Sequence, residues 1–333
     1  MHVKDIDETR HAGAGTSGFL LAIDIGGTKI AMATTTPAGE RLHEAEIPTL
    51  AEQGAEIVMR RMFEAATALI SKTLAGVERR FLAVAAVTPG IIEPDGIRLA
   101  PNNPGWDQLA LYDVLRAGFA AQCVAVETDV KAAALAEARC GALAGVDCGL
   151  YLNLGTGLAA AAVIDGRVLR GAHGAAGEIG YQLRGVPDEA LFADGGASLE
   201  DFVSGRAIAD RVSVLLGRNV TTHEAFALRG SVPQVAALIK DAFEALGRHI
   251  ANLTLMLDPS RIVIGGGMAR IPGIPDSIRS LLARAVPYPP DVAIAAFGHG
   301  AALQGAIVAA SDAWASRRSP PGHSPLREVA SAL

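Results

Sequence analysis

The sequence predicts an α/β protein of two lobes around a central cleft, and three glycine segments carry that prediction. Leu21-Ala-Ile-Asp24-Ile-Gly26-Gly27-Thr28-Lys29 is an apolar, β-branched run that ends in an acid and a glycine turn. Tyr151-Leu-Asn153-Leu-Gly155-Thr156-Gly157 repeats the pattern, and Arg261-Ile-Val-Ile-Gly265-Gly266-Gly267 is a third strand entering glycines. Such turns expose backbone N–H groups that can cradle phosphate oxygens. Each segment alone also fits an ordinary β-hairpin or strand-to-helix turn. Gly-Lys-Ser/Thr is missing, and so is a Gly-x-Gly-x-x-Gly at a strand-to-helix turn, which argues against the common P-loop and the dinucleotide fold.

Residues 1–17 are polar and Gly-rich and read as a disordered N-terminus. Residues 19–35 and 40–48 read as paired strands. Ile57, Val58, Met62, Ala65 and Leu69 give residues 53–75 helical spacing. A strand over 81–88 runs into Thr88-Pro89-Gly90. Ala100-Pro-Asn102-Asn103-Pro-Gly-Trp106 is a loop by its breakers. A helix over 109–121, a strand over 123–127 and an Ala-rich helix over 131–140 follow. Residues 148–170 read as two strands joined at Asp165-Gly166, 171–198 as loop, and 199–216 and 232–257 as helix. A strand over 261–264 and a helix over 301–315 complete the series, and the tail 316–333 reads as disordered. Strands and helices alternate, with a division near residue 125: an N-terminal lobe, 18–125, joined by the closing helix 301–315, and a C-terminal lobe, 126–300.

The chain has 333 residues, enough for two domains, and its net charge of −6 gives no general affinity for nucleic acid or an anionic membrane. The sequence holds no apolar run long enough to span a bilayer, and its start lacks a basic, apolar signal segment. Cys123, Cys140 and Cys148 are odd in number and lie in or beside apolar segments, so they read as reduced, buried thiols. A cytoplasmic enzyme is the expectation.

These segments, in this order, resemble the ROK family (repressor, open reading frame, kinase) of the actin-like ATPase superfamily, over roughly residues 19–312. Asp24-Ile-Gly-Gly-Thr28 is similar to the family's first phosphate motif, Thr88-Pro-Gly90 to its Pro-Gly turn, and Asn102-Asn-Pro-Gly-Trp106 to its sugar loop. Glu127-Thr-Asp129 stands where the family carries Asn-Asp-x-Asn. Leu154-Gly-Thr-Gly157, Gly177-Glu178-Ile-Gly180, Leu199-Glu200 and Ile264-Gly-Gly-Gly267 complete the series.

The resemblance implies a two-lobed, ribonuclease H-like fold and transfer of the γ-phosphate of MgATP to a hydroxymethyl oxygen of a sugar. Asp129 is implied as general base; by spacing alone it serves equally as the N-cap of the helix behind it. Asn102, Asn103, Glu178, Tyr181 and Glu200, with Asp129, are the expected substrate residues. Asn102 both donates and accepts, as a pair of sugar hydroxyls requires; a turn-forming Asn, a surface Glu178 and a Glu200 that serves only its helix dipole are the plainer alternatives. Gly26, Gly27, Thr28, Lys29, Gly155, Thr156 and Gly157 are expected around the phosphates. Gly266 and Gly267 are expected beside the adenosine, and Asp24 at the magnesium.

The chain departs from the family at its structural zinc site. Aligned without gaps from Gly177 to Glu200, Tyr181 replaces the His, and Leu191, Ala193 and Ser198 replace the three Cys. No zinc is expected, and packing of Leu191 and Phe192 is expected to hold the loop instead. The exchange of His for Tyr181 puts plain glucose specificity in doubt and admits an amino sugar, an N-acyl hexosamine or a sugar-like cyclitol. Lys131 and Thr128 replace the two Asn residues of the family segment; Lys131 reads first as a solvated helix residue and second as a substrate contact. Ala159–Ala162 replaces a glycine run, so ATP contacts are expected to be looser or shifted. The resemblance further implies a homodimer. It admits a non-catalytic sugar sensor, and also a repressor; against the repressor stand an acidic charge and only 23 residues ahead of Asp24.

Overall fold

A computed structural model of the chain describes residues 17–76, 78–100 and 102–318. β1 (Ser17–Ile25), β2 (Lys29–Thr35) and β3 (Arg41–Pro48) form an antiparallel meander. Helix α1 (Ala55–Leu74) leads to β4 (Arg79–Thr88), which lies parallel to β1. A small hairpin, β5 (Ile91–Ile92) and β6 (Ile97–Arg98), precedes α2 (Leu111–Gly118) and β7 (Val124–Thr128). The first sheet has the order β3-β2-β1-β4-β7.

Helix α3 (Asp129–Cys140) crosses to a second meander, β8 (Cys148–Leu154), β9 (Leu158–Ile164) and β10 (Arg167–Val168). Helices α4 (Glu200–Val203), α5 (Gly205–Leu216), α6 (Thr222–Leu228) and α7 (Pro233–Leu257) come next. β11 (Arg261–Gly265), α8 (Ile274–Ala285), β12 (Asp291–Ile294) and α9 (Ala301–Arg318) finish the described chain. The second sheet has the order β10-β9-β8-β11-β12 and repeats the first in sense: two antiparallel pairings, then two parallel ones.

Composition explains the layers. Phe19 through Ile23 in β1 are all fully buried, as a strand covered on both faces must be. In α1 the buried positions Val58, Met62, Ala66, Leu69 and Thr73 form one stripe against the first sheet. The opposite face of that sheet receives α9, which packs on β1, β4 and β7. α3 lies between α9 and strands β8 and β9. The two helices can lie this close because their contact is made of small residues. Ala132, Ala133, Ala134 and Ala136 are buried in α3, and a Cβ on Gly305 of α9 would run into the Ala132 carbonyl.

The strands read at 19–48 and 81–88 and the helices read at 53–75, 131–140 and 232–257 are present to within a few residues. Other expectations need correction. Residues 148–170 hold three strands, because Gly155-Thr156-Gly157 is itself a hairpin turn ahead of the turn at Asp165-Gly166. The helix expected over 109–121 spans only Leu111–Gly118, since the chain takes a positive φ of 48° at Ala120. The closing helix runs on to Arg318, so 316–318 are helical. Residues 1–16 and 319–333, expected to be disordered, lie outside the described residues. Of the cysteines only Cys123 is buried; Cys140 is exposed and Cys148 intermediate.

Replacing Gly305 by Val should force the α3–α9 pair apart and destabilise the protein by about 1–3 kcal/mol. Thermal denaturation checks this, and an unchanged melting temperature would show that the contact tolerates a side chain.

Candidate active site

Both phosphate-type turns are hairpins, so the hairpin and phosphate readings describe one object. The first joins β1 to β2. Gly26 N–H donates to the Lys29 carbonyl at 3.0 Å, the Thr49 hydroxyl donates to the Gly26 carbonyl at 2.6 Å, and Thr49 N–H donates to the Thr28 carbonyl at 2.9 Å. A Cβ on Gly27 would meet nothing within 4 Å, so the space over the turn is open. The second turn joins β8 to β9; Gly155 N–H donates to the Gly157 carbonyl at 3.1 Å. Gly205 N–H at the start of α5 donates to the Gly155 carbonyl at 2.9 Å, which fastens the turn to that helix.

A cavity of about 570 Å3 opens between the two sheets. Gly27, Thr28, Thr156 and Gly157 line it, and so do Asn102, Asn103, Asp129, Glu178, Tyr181 and Glu200. Leu158, Asn153 and Arg206 also reach it. A second cavity of about 170 Å3 shares Asp129, Val130 and Asn153 with the first and adds Tyr151, Gly266 and His299. Gly266 has a φ of 82°, and a Cβ there would strike the Leu154 carbonyl, so the chain needs glycine at this bend. Gly267 would carry a Cβ free of contact, and its N–H lies beside Gly155. Lys29 is not brought to the cavity: its ammonium pairs with Glu46 of β3 at 2.6 Å, both side chains more than half exposed.

Asp129 is the first residue of α3, directly after β7. It is not the helix cap. Thr128 caps α3, its hydroxyl accepting from Lys131 N–H at 3.4 Å. One Asp129 oxygen accepts from Val130 N–H at 2.8 Å. Burial raises the pKa of Asp129, while that N–H and the Lys131 charge act to lower it. Asp24 is the penultimate residue of β1; burial first, and then the Asp129 charge, push its pKa up to about 7, with Lys29 pulling the other way.

The residues of the expected sugar loop are held from behind. Trp106 is 1% exposed, and its indole N–H donates to the Thr88 hydroxyl at 3.0 Å. Trp106 N–H donates to the Asn103 carbonyl and Ala55 N–H to the Pro104 carbonyl. This anchor leaves Asn102 exposed and Asn103 buried, with Asn103 Oδ1 lacking a hydrogen-bond partner among the described residues. Glu200 opens α4 and spans to β9: its Oε2 accepts from Leu158 N–H at 2.7 Å, and its Oε1 faces Arg206 at 3.4 Å. A Cβ on Gly157 would come within 2.7 Å of that Oε2. Burial raises the pKa of Glu178 and of Tyr181; the Lys131 charge pulls that of Glu178 back down, and the neighbouring carboxylates add to the rise in both.

Two expectations fail here. Lys131 is not solvated; its side chain is 2% exposed and its ammonium lies 3.6 Å from Glu178 Oε1. Leu191 and Phe192 do not pack the loop, being 47% and 62% exposed. Polar bonds hold it instead. The Glu189 carboxylate accepts from the Ser198 hydroxyl and from Arg184 and Gly185 N–H, and Asp194 accepts from Leu191 N–H at 3.3 Å. Phe192 does meet the Tyr181 ring edge-on, centroids 5.4 Å apart. Tyr181, Leu191, Ala193 and Ser198 offer no zinc donor set, and no group of three His, Cys, Asp or Glu able to hold a metal occurs among the described residues. Sequence reasoning also missed Arg206, Thr49 and Asn153. Asn153 carried a signal, as the one polar side chain in Tyr151-Leu-Asn-Leu154.

The model of the ROK family matches residues 20–313. The glucokinase of Halalkalibacterium halodurans is 32% identical over 277 residues, 76% of this chain and 81% of that protein. The kanosamine kinase of Amycolatopsis mediterranei is 29% identical over 298 residues, 88% of this chain and 96% of that one. The crystal structure of a ROK family glucokinase from Streptomyces griseus, in complex with glucose and AMPPNP, superposes with a TM-score of 0.68 at 27% identity. It covers 89% of this chain and 100% of that one. The fold is thus the two-lobed actin-like α/β fold.

Asp24 sets a pH dependence. Its folded pKa of about 7 lies above the model-peptide value of 3.8, so between these limits the folded state binds more protons than the unfolded chain. Stability therefore falls as pH rises from about 4 to about 7, by at most about 4 kcal/mol from this group at about 1.4 kcal/mol per unit. Denaturant unfolding at pH 5 and pH 8 should show that Asp24→Asn has lost this part of the slope. An identical slope in both proteins would mean that Asp24 ionises normally.

Proposed function

The chain belongs to the ROK family, and we propose that it is an ATP-dependent kinase acting on the hydroxymethyl group of a hexose, an amino sugar or a sugar-like cyclitol. One observation carries the proposal. A single cavity is lined both by the two hairpin turns, through Thr28 and Gly157, and by Asp129 with the polar set Asn102, Asn103, Glu178 and Glu200. The relatives that bear sugar-kinase names, and the neighbour crystallised with glucose and AMPPNP, support the same reading.

In this mechanism the two turns receive the triphosphate on the N–H groups of their cavity-lining residues, Gly27 and Thr28 in the first and Thr156 and Gly157 in the second. Gly266 and Gly267 leave room for the nucleoside. Asp24 suits a magnesium ion carried by ATP, because a nearby cation offsets the burial and the Asp129 charge that push up its pKa. Bound there, magnesium would neutralise phosphate charge during transfer. The sugar is oriented by Asn102, Asn103, Glu178 and Glu200. The orphaned Asn103 Oδ1 is an acceptor that a sugar hydroxyl satisfies. Asp129 accepts the hydroxyl proton as the new O–P bond forms and the bond from the γ-phosphorus to the bridging oxygen breaks, releasing ADP; its raised pKa makes it a stronger base than an exposed carboxylate. Tyr181 at the cavity wall favours a substrate other than plain glucose, and kanosamine, an amino sugar, is the substrate named for one relative.

An alternative is a sugar sensor without turnover. Release of ADP from MgATP separates the two, measured with glucose, mannose, their N-acetyl-amino derivatives, 3-amino-3-deoxyglucose and a valiolone-type cyclitol. Turnover on one compound is expected, and Asp129→Ala should lose at least about a thousandfold in kcat with sugar affinity kept. Substantial residual turnover in that variant would remove Asp129 from the base role. Elemental analysis of protein purified without chelators should find no stoichiometric zinc; one zinc per chain would show that the register across 177–200 is wrong.

A further inference from the structure

Lys131 is the one buried cation of the site among the described residues, and neither the kinase reading nor the sequence motifs account for it. It is the third residue of α3, an end of the helix that disfavours positive charge. Its side chain is 2% exposed, and in water it would be better solvated than here. A lysine held against both penalties needs a compensating anion, and Glu178 Oε1 lies 3.6 Å away. The Glu178 side chain is 26% exposed and lines the main cavity, whereas Lys131 does not line it. The pair therefore runs from the interior to the cleft wall, with its carboxylate outermost. The other charges facing Glu178 are Asp129 on α3 and Glu200 on α4, both repulsive.

We infer that Lys131 is a positioning residue that holds Glu178 ionised and turned into the cleft, where its free oxygen accepts hydrogen bonds from the substrate's hydroxyl or ammonium donors. The inference rests on the cleft being the sugar site, and gives it a further specificity determinant. The consequence is selective. A carboxylate that stays ionised is an acceptor only, so the position facing Glu178 must be a donor. Lys131 thereby sets the donor pattern of the substrate without touching it.

The test uses Lys131→Met, Glu178→Gln and the double variant, each read by melting temperature and by steady-state kinetics in both substrates. Lys131→Met should raise the sugar KM by about tenfold or more, with KM for MgATP within about twofold, because only the sugar-side acceptor is disturbed. The double variant should be no worse in sugar KM than Glu178→Gln alone. Its melting temperature should recover part of what Lys131→Met loses, since no uncompensated, partly buried carboxylate then remains. Additive KM losses without melting recovery would overturn the inference and leave Lys131 a packing residue. So would failure of both Lys131→Met and the double variant to fold. A rise in KM for MgATP instead of sugar would overturn it too. The melting arm needs no turnover, so a wild type silent on every sugar would sink the kinase reading while the pair is still judged by recovery or its absence.

Discussion

The close packing of α3 on α9 is the constraint on which the site depends. Gly305 gives the Ala132 carbonyl its room, and the buried alanines of α3 keep that helix against β8 and β9 while α9 lies on β1 and β4. A buried carboxylate locks the arrangement. Glu137 of α3 is fully buried and accepts from Ala296 N–H at 2.8 Å, Phe297 N–H at 3.3 Å and Ala142 N–H at 2.7 Å. It ties the end of α3 to the segment that enters α9. Asp129 stands at the head of α3, so the spacing of these helices determines where the carboxylate meets the turns on either side.

The repeated topology explains why two phosphate-type turns face one cavity. In each sheet the first hairpin of the meander ends at the edge of the cleft, and in each the turn is tied back by a hydroxyl-bearing residue from elsewhere. Thr49 does this for Gly26, and Thr222 reaches the second turn through Gly205. Glycine in the second turn answers a packing need as well as a ligand need, since Gly157 lies under the Glu200 carboxylate. Glu200 is thereby fixed by the second hairpin turn, which on the proposed reading would couple the sugar side of the cleft to the nucleotide side.

Much of this was legible in the sequence because it depends on residue types that few other contexts tolerate. An acid before two glycines at a strand end, or Asn-Asn-Pro-Gly-Trp106 with its buried indole, says what backbone it requires. What was not legible depends on direction rather than type. A lysine three residues into a helix looks the same whether it faces water or Glu178. Leu191 and Phe192 looked like a replacement core for a missing metal, yet the loop closes through the Glu189 carboxylate, whose partners are mostly backbone N–H groups that no sequence pattern displays. The overlooked α6 had a signal of its own, Thr221 followed by Glu224, and the Thr221 hydroxyl does accept from Glu224 N–H at 3.2 Å. The short β12 offered only four residues, too few for a period.

The charges in the cleft are distributed unevenly, and the unevenness agrees with a neutral or cationic acceptor at one end and a polyanion at the other. At the proposed sugar end Glu178 faces Lys131, and Glu200 faces Arg206 and the Leu158 N–H. Those charges are settled within the protein, so the substrate there need bring only hydrogen-bond donors and acceptors. At the phosphate end Asp24 is opposed by burial and by Asp129, and Lys29, the cation named beside it, is tied to Glu46 at the surface. Close to the turns no lysine or arginine lines the cavity among the described residues except Arg206, itself engaged by Glu200 and Asp201. If the cleft takes a nucleotide as proposed, phosphate recognition there would fall to backbone N–H groups and to a cation arriving with the nucleotide. On the proposed reading, such a site would favour a metal-bound triphosphate over the bare anion, which Asp24 and Asp129 would repel.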